Sequence, residues 1–298
     1  MNFTSLDNFS IDDIKKLVLR ALYFKNNQKD IPKLNLSACL IFFEPSTRTN
    51  ISFQKALSST ASTYCILETN TSSFLKKETL YDTILTLKQL KIANFIIRSG
   101  ENHYYKSLES IKNINIVNAG DGVNSHPSQS LLDLVTIYEH FHRFKNLKIA
   151  IVGDLNHSRV CYSNYKLFKR LNFEVYLCCY EKVNYDGYEI DTYNFNDIIE
   201  EMDVVIFLRI QNERFLEAER ENKLLHDPKT YNRLYGLNSL NYKRLKSNAI
   251  FLHPGPVNRN WEIETDLVYQ PKSKILDQVE NGLFTRIAIL EYISKNKS

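Results

Sequence analysis

Residues 38–57 read Ala38-Cys39-Leu40-Ile41-Phe42-Phe43-Glu44-Pro45-Ser46-Thr47-Arg48-Thr49-Asn50-Ile51-Ser52-Phe53-Gln54-Lys55-Ala56-Leu57. The six apolar residues at the start predict a buried strand, and the segment from Asn50 predicts a helix. A short polar turn joins them. A strand, a turn and a helix start leave backbone N–H groups unpaired at the positive end of the helix dipole, which is a ready anion site. The hydroxyls of Ser46, Thr47 and Thr49 and the Arg48 guanidinium would surround that anion with donors. An ordinary N-cap explains Ser46 equally well, because Ser and Thr are common there. The stretch alone leaves both readings open.

The same alternation continues outward. Residues 8–29 predict an amphipathic helix, with Ile11, Ile14, Leu17, Val18, Ala21 and Leu22 at helical spacing. After the opening motif come a strand at 64–67, a polar loop from Glu68 to Lys77 and a helix over about 78–90. A strand at 95–98 ends in Arg98, a helical stretch covers about 103–112, and a fourth strand covers 114–118. The loop Gly120–Ser125 leads to His126-Pro127-Ser128-Gln129 and a helix over about 130–142.

The pattern restarts at Leu147-Lys148-Ile149-Ala150-Ile151-Val152-Gly153-Asp154, followed by a helix from Ser158. Further strands are expected at 174–180, 203–209 and 248–253, and a last helix near 283–294. Alternating strands and helices predict an α/β fold of two doubly wound parallel-sheet domains. The domains are read as 1–140 and 141–280, and the amphipathic last helix could pack on either.

Composition narrows the function. The chain has 298 residues, 43% hydrophobic and 24% charged, which suits a soluble globular protein. The net charge of +4 is mild and the basic residues are spread, so no nucleic-acid partner is expected, while small acidic substrates fit. No apolar run approaches a membrane span and no signal peptide stands out. The five cysteines form no CxxC motif, and buried free thiols in a reducing cytoplasm are expected.

In open parallel sheets, ligands bind beyond the carboxyl ends of the strands. The polar residues there are Ser46 to Thr49, Arg98, His126, Gln129, Asp154, Arg159, Arg209, Gln211 and His253-Pro254. Several arginines together imply a substrate with more than one anionic group. His140 and His142 read as a solvated helix end rather than metal ligands. Gly153-Asp154 lacks the other glycines of a dinucleotide fingerprint, so neither a cofactor nor a metal is expected.

The segments FFEPSTRT, SSFLKKETLYDT, NAGDGVNSHPSQSLLDL, IAIVGDLNHSR, LRIQNER, HPGPVNR and NGLFTR, in this order, resemble the aspartate/ornithine carbamoyltransferase family along nearly the whole chain. The branch that uses ornithine has an Asp and a Ser-Met-Gly at its amino-acid site, and a Cys in a late His-Cys-Leu-Pro. This chain has Arg209-Ile210-Gln211 and His253-Pro254-Gly255-Pro256 instead. Guanidinium groups suit the dicarboxylate aspartate and not a cationic side chain. The resemblance therefore implies transfer of the carbamoyl group of carbamoyl phosphate to the amine of L-aspartate, in pyrimidine biosynthesis. Transfer to another amino acid such as ornithine, or a catalytically weak scaffold, are the alternatives.

The resemblance also implies roles. Ser46, Thr47, Arg48 and Thr49 would bind the phosphate, and Arg98 would contact phosphate and carbonyl oxygen. His126, with Thr49 and Arg98, would polarise the carbonyl, while Gln129 and the Pro254–Gly255 segment would hold the carbamoyl group. Arg159 would grip the α-carboxylate of aspartate, and Arg209 and Gln211 its β-carboxylate. Ser72 and Lys76 would enter the site of a neighbouring subunit, Lys76 also touching aspartate, in a homotrimer with shared active sites. Glu44 would pair with Arg159 and Arg214 to hold the domains closed, with the active site in the cleft between them and a C-terminal helix of about 281–298 packing back on the first domain. Regulatory chains and a dihydroorotase are partners that the resemblance leaves open. Two positions depart from the family pattern. Lys77 replaces the usual Gly of a Lys-Gly-Glu, and Asn50 replaces a basic residue after Thr-Arg-Thr. Counting back from Glu78 gives the loop lysine as Lys76; counting forward from Ser73 gives Lys77.

Overall fold

A computed structural model describes residues 2–211 and 227–295. The chain divides into two compact units, residues 1–135 with 279–298, and residues 136–278. Helix α4 (Pro127–Phe141) runs through the point of division, so the first unit ends within a helix, five residues before position 140.

In the first unit, β1 (Ser37–Phe42), β2 (Thr63–Leu67), β3 (Asn94–Ser99) and β4 (Asn115–Asp121) form a parallel sheet in the order β2-β1-β3-β4. The central strand β1 is buried from Ala38 to Ile41, which is why it reads as a continuous apolar run. Helix α1 (Ile11–Asn26) starts at Ser10, whose Oγ accepts from the Asp13 N–H at 3.1 Å. It buries Ile14, Leu17, Val18, Ala21 and Phe24, the stripe expected of a one-sided helix. Edge strand β2 is different. Thr63 to Ile66 are exposed, Cys65 among them, so one of the five free thiols is not buried.

The last helix begins at Ile275, earlier than position 281 or 283, and runs to Ser294. Its start is fixed by the Lys274 backbone carbonyl, which accepts from the Gln278 N–H at 2.8 Å. From residue 279 onward it belongs to the first unit. There Glu291 accepts from Arg20 on α1 at 2.7 Å, and Arg286 lies over the Phe53 ring at 5.0 Å. Burial pushes the Arg286 guanidinium down to about 9.

In the second unit, β5 (Lys148–Gly153), β6 (Glu174–Cys178), β9 (Val204–Leu208) and β10 (Ile250–Leu252) form a parallel sheet in the order β10-β9-β5-β6. Its core gathers Ala150, Val152, Phe195, Met202, Val205, Phe207 and Phe251. Gly153 closes β5 at φ +135, and a Cβ there would stand 2.4 Å from the Leu208 carbonyl oxygen. Only glycine lets the two strand ends approach this closely.

Two further features differ from the sequence expectation. Residues 103–112 hold only a short 3₁₀ helix, Tyr104–Leu108, because His103 (φ 57) and Asn113 (φ 59) turn left-handed on either side. A hairpin of β7 (Val183–Tyr185) and β8 (Tyr188–Ile190) turns through Asp186 (φ 54) and Gly187 (φ 84). Asp-Gly is a strong two-residue turn signal between strands, and it stands in the sequence as Tyr185-Asp186-Gly187-Tyr188.

Candidate active site

The opening motif stands at the carboxyl end of β1. Ser46 is the N-cap of helix α2 (Thr47–Ser59), yet its side chain makes no capping bond. The contrast within the chain is informative. Ser10, Thr79 and Ser158 each accept a backbone N–H at their own helix starts, Thr79 at that of α3 (Leu80–Gln89). At α2 the hydroxyl has extended backbone (φ −160, ψ 96) and leaves the first-turn N–H groups to another acceptor. Thr49 is buried and Arg48 exposed.

The sheet order places two further groups beside it. Arg98 is the register partner of Phe42, at the end of β3 next to β1. Its Nε lies 3.4 Å from Glu44 Oε2, and an Nη donates to the Ala119 carbonyl at 3.5 Å. Glu44 is therefore engaged within its own unit. Arg214, one of its two expected partners, lies outside the described residues. Beyond β4, which flanks β3, His126 and Gln129 stand at the start of α4, both buried. The His126 carbonyl accepts from the Gln129 and Ser130 N–H groups at 2.9 and 3.1 Å, and Pro127 opens the helix.

Two carboxylates that the sequence reading passed over hold this end in place. Asp121 is fully buried and accepts from Asn118 Nδ2 (2.7 Å), Asn124 Nδ2 (2.8 Å) and the His103 N–H (2.8 Å). These bonds fix the turn that delivers His126. Gly122 in the same turn has φ +45, and a Cβ would fall 1.7 Å from Asn102 Oδ1. Asp133, also buried, accepts from Gln129 Nε2 at 2.8 Å. A carboxylate only accepts, so the Gln129 amide is oriented with Oε1 as its outward acceptor. The signal for Asp133 was its i+4 spacing from Gln129 on one helix.

Ser72 and Lys76 lie after β2, on the outer edge of the sheet, and not beside His126. Ser72 Oγ donates to the Thr69 carbonyl at 3.1 Å, and Lys76 ends a 3₁₀ turn, Ser73–Lys76, with its side chain exposed. Lys77 takes the left-handed position that follows, at φ 67 and ψ 23. A lysine there carries about 1 kcal/mol of strain that glycine would not.

In the second unit the expected residues also gather at strand ends. Arg159 opens α5 (Arg159–Arg170) beyond β5 and is buried. Arg209 and Gln211 follow β9, and Pro254 and Gly255 follow β10. An Arg209 Nη donates to the Ile210 carbonyl at 3.3 Å. Asp154, buried beyond β5, accepts the Gln211 N–H at 3.0 Å through Oδ2 and contacts His157 Nδ1 at 2.8 Å through Oδ1. Gln211 Nε2 donates to the His157 carbonyl at 2.8 Å, one of the two hydrogens its amide can donate. Each unit thus presents an anion-directed set of donors at adjoining strand ends.

Comparison with known proteins gives a consistent picture. The family model for the aspartate/ornithine carbamoyltransferase carbamoyl-P binding domain matches residues 1–139, and that for the Asp/Orn binding domain matches residues 145–293. The aspartate carbamoyltransferase catalytic subunit of Ligilactobacillus salivarius is 42% identical over 99% of this chain and 96% of its own. That of Malacoplasma penetrans is 43% identical over 98% and 96%. A crystal structure of aspartate transcarbamoylase from Trypanosoma cruzi, in complex with N-(phosphonacetyl)-L-aspartic acid, superposes with a TM-score of 0.83 at 27% identity, covering 97% of this chain and 94% of that one. The catalytic subunit of M. jannaschii aspartate transcarbamoylase gives 0.82 at 26% identity, covering 99% and 98%.

The N-cap geometry makes a testable difference between two serines. Ser46→Ala is expected to change unfolding free energy by less than about 0.5 kcal/mol, whereas Ser10→Ala costs about 1 kcal/mol. Urea unfolding of both variants checks this; equal losses would make Ser46 a structural cap.

Proposed function

Because the chain belongs to the aspartate/ornithine carbamoyltransferase family, we propose that it transfers the carbamoyl group of carbamoyl phosphate to the amine of L-aspartate. The products are N-carbamoyl-L-aspartate and phosphate, and the reaction serves pyrimidine synthesis. The single observation that carries the choice of aspartate is the second unit's strand-end set. Arg159, Arg209 and Gln211 offer guanidinium and amide donors that match two carboxylates.

Each residue has a chemical task. The unpaired N–H groups at the start of α2, with Ser46, Thr47, Arg48 and Thr49, bind the phosphate. Arg98, Thr49 and His126 stabilise charge on the carbonyl oxygen as the amine attacks, and Gln129 Oε1 accepts from the carbamoyl N–H, an orientation supported by its bond to Asp133. The Pro254 carbonyl accepts a second carbamoyl N–H. Alignment of two bound reactants supplies about 7–11 kcal/mol of barrier reduction, and each well-placed oxyanion donor adds about 3–4 kcal/mol. The departing phosphate takes the amine proton, so no side-chain base is required.

The assembly we infer is a homotrimer in which Ser72 and Lys76 serve a neighbour's site. Support comes from the open edge strand β2 and from large apolar side chains left in solvent nearby. Leu75 is 71% exposed and Ile51 58%. The left-handed Lys77, where a glycine is usual, supports counting the loop lysine back from Glu78 to Lys76. Native mass measurement should then give about three times the 34.9 kDa chain; a monomer at micromolar concentration would contradict it.

The activity is tested by offering carbamoyl phosphate with aspartate or ornithine and analysing the products. Carbamoyl-aspartate is expected, with turnover on ornithine lower by at least about 10³-fold, since ornithine leaves two guanidinium groups without a partner. Citrulline as the main product would overturn the reading.

A further inference from the structure

Glu262 is an internal carboxylate to which the reaction above assigns no role. Its side chain is 1% exposed. Three donors converge on it. The Ile210 N–H donates to Oε1 at 3.1 Å, the Asn258 N–H to Oε2 at 2.7 Å, and Asn258 Nδ2 to Oε1 at 3.1 Å. His253 Nε2 stands 3.8 Å from Oε2. His253 Nδ1 accepts from the Gly255 N–H at 2.8 Å, so the neutral ring carries its proton on Nε2, the nitrogen nearest Glu262.

These contacts come from the two loops that matter in this unit. One is Arg209-Ile210-Gln211, beyond β9; the other is His253 to Asn258, beyond β10. Ile210 is itself fully buried and lies between the two side chains assigned to the aspartate carboxylate. Its N–H is tethered to Glu262, and the next N–H, of Gln211, is tethered to Asp154. Two successive backbone amides held by buried carboxylates define the path of the loop and the direction in which Arg209 and Gln211 leave it. An acceptor-only group with two oxygens is what three converging N–H groups require, and a carboxylate is retained in the interior only when its oxygens are filled in this way.

We propose that Glu262 is a positioning residue for the amino-acid substrate. It clamps the Arg209–Gln211 loop to the His253–Asn258 loop, so that the guanidinium of Arg209 and the amide of Gln211 are set before aspartate arrives. The proposal rests on the carbamoyl-transfer reading for its substrate, but its geometry does not.

The test uses the full chain with Glu262→Gln, which keeps the shape and replaces one acceptor oxygen by an N–H₂ donor. The expected result is an aspartate KM raised about tenfold, with the carbamoyl phosphate KM moved less than about twofold. In an Arg209→Ala background the same substitution adds less than about twofold, because the group being positioned is already gone. Amide exchange at Ile210 is expected to accelerate in Glu262→Gln without a matching change elsewhere in the second sheet. An aspartate KM within twofold of the parent, or two effects that simply multiply, would overturn the proposal; so would a lower kcat and melting temperature with no KM split. A parent chain that forms no carbamoyl-aspartate defeats the functional reading alone, and Ile210 exchange still decides the clamp, equal protection in both chains refuting it. Should Glu262→Gln not fold, Asn258→Ala removes one donor to the same carboxylate. It is expected to raise the aspartate KM about threefold, and no rise would refute the clamp.

Discussion

Everything at the first strand ends depends on a helix start left without a side-chain cap. In a parallel sheet every strand that leads into a helix can deliver unpaired N–H groups to the same edge. Ser10, Thr79 and Ser158 each close a helix start with their own side chain, whereas the start after β1 has no such bond from Ser46. The sheet order β2-β1-β3-β4 then decides what stands beside that open start, namely Arg98 from β3 and His126 with Gln129 from beyond β4. The second unit uses the same edge of its sheet with different chemistry, guanidinium and amide donors in place of a bare helix end.

Both sets are held from behind by buried carboxylates. Asp121 and Asp133 act on the His126–Gln129 segment, while Asp154 and Glu262 act on Ile210 and Gln211. Each is filled by amide N–H donors, and this filling is what makes an interior carboxylate tolerable. The arrangement suits a reaction whose acceleration comes from orientation, since a small misplacement of donors costs much of the rate. Lys77 marks the opposite tendency. It accepts a left-handed backbone at about 1 kcal/mol to keep the turn after Lys76.

Most of the strands and the main helices were legible in the sequence because buried parallel strands are continuous apolar runs and the helices are one-sided. The candidate residues were legible because they follow those strands directly, as Ser46 follows β1 and Arg209 follows β9. The failures have physical causes. The Tyr185-Asp186-Gly187-Tyr188 hairpin was marked by its turn residues, but its strands are too short to show a period. The last helix extends back to Ile275 through residues whose partners are distant in sequence. Asp133 was marked only by its i+4 spacing from Gln129, and Glu262 was not legible at all, because a buried carboxylate looks like any surface carboxylate until the chain folds around it. The sequence pairing of Glu44 with Arg159 and Arg214 gave no hint of Arg98, which meets Glu44 only through the register of β1 and β3.

The central claim is a division of labour, with carbamoyl phosphate recognised by the first unit and aspartate by the second. Steady-state kinetics of Arg48→Ala and Arg209→Ala, varying each substrate in turn, test it most directly. The account predicts that Arg209→Ala raises the aspartate KM by about 100-fold and shifts the carbamoyl phosphate KM by less than about threefold, while Arg48→Ala chiefly raises the carbamoyl phosphate KM. Equal effects of Arg209→Ala on both substrates, or an Arg48→Ala chain with unchanged kinetics, would contradict it.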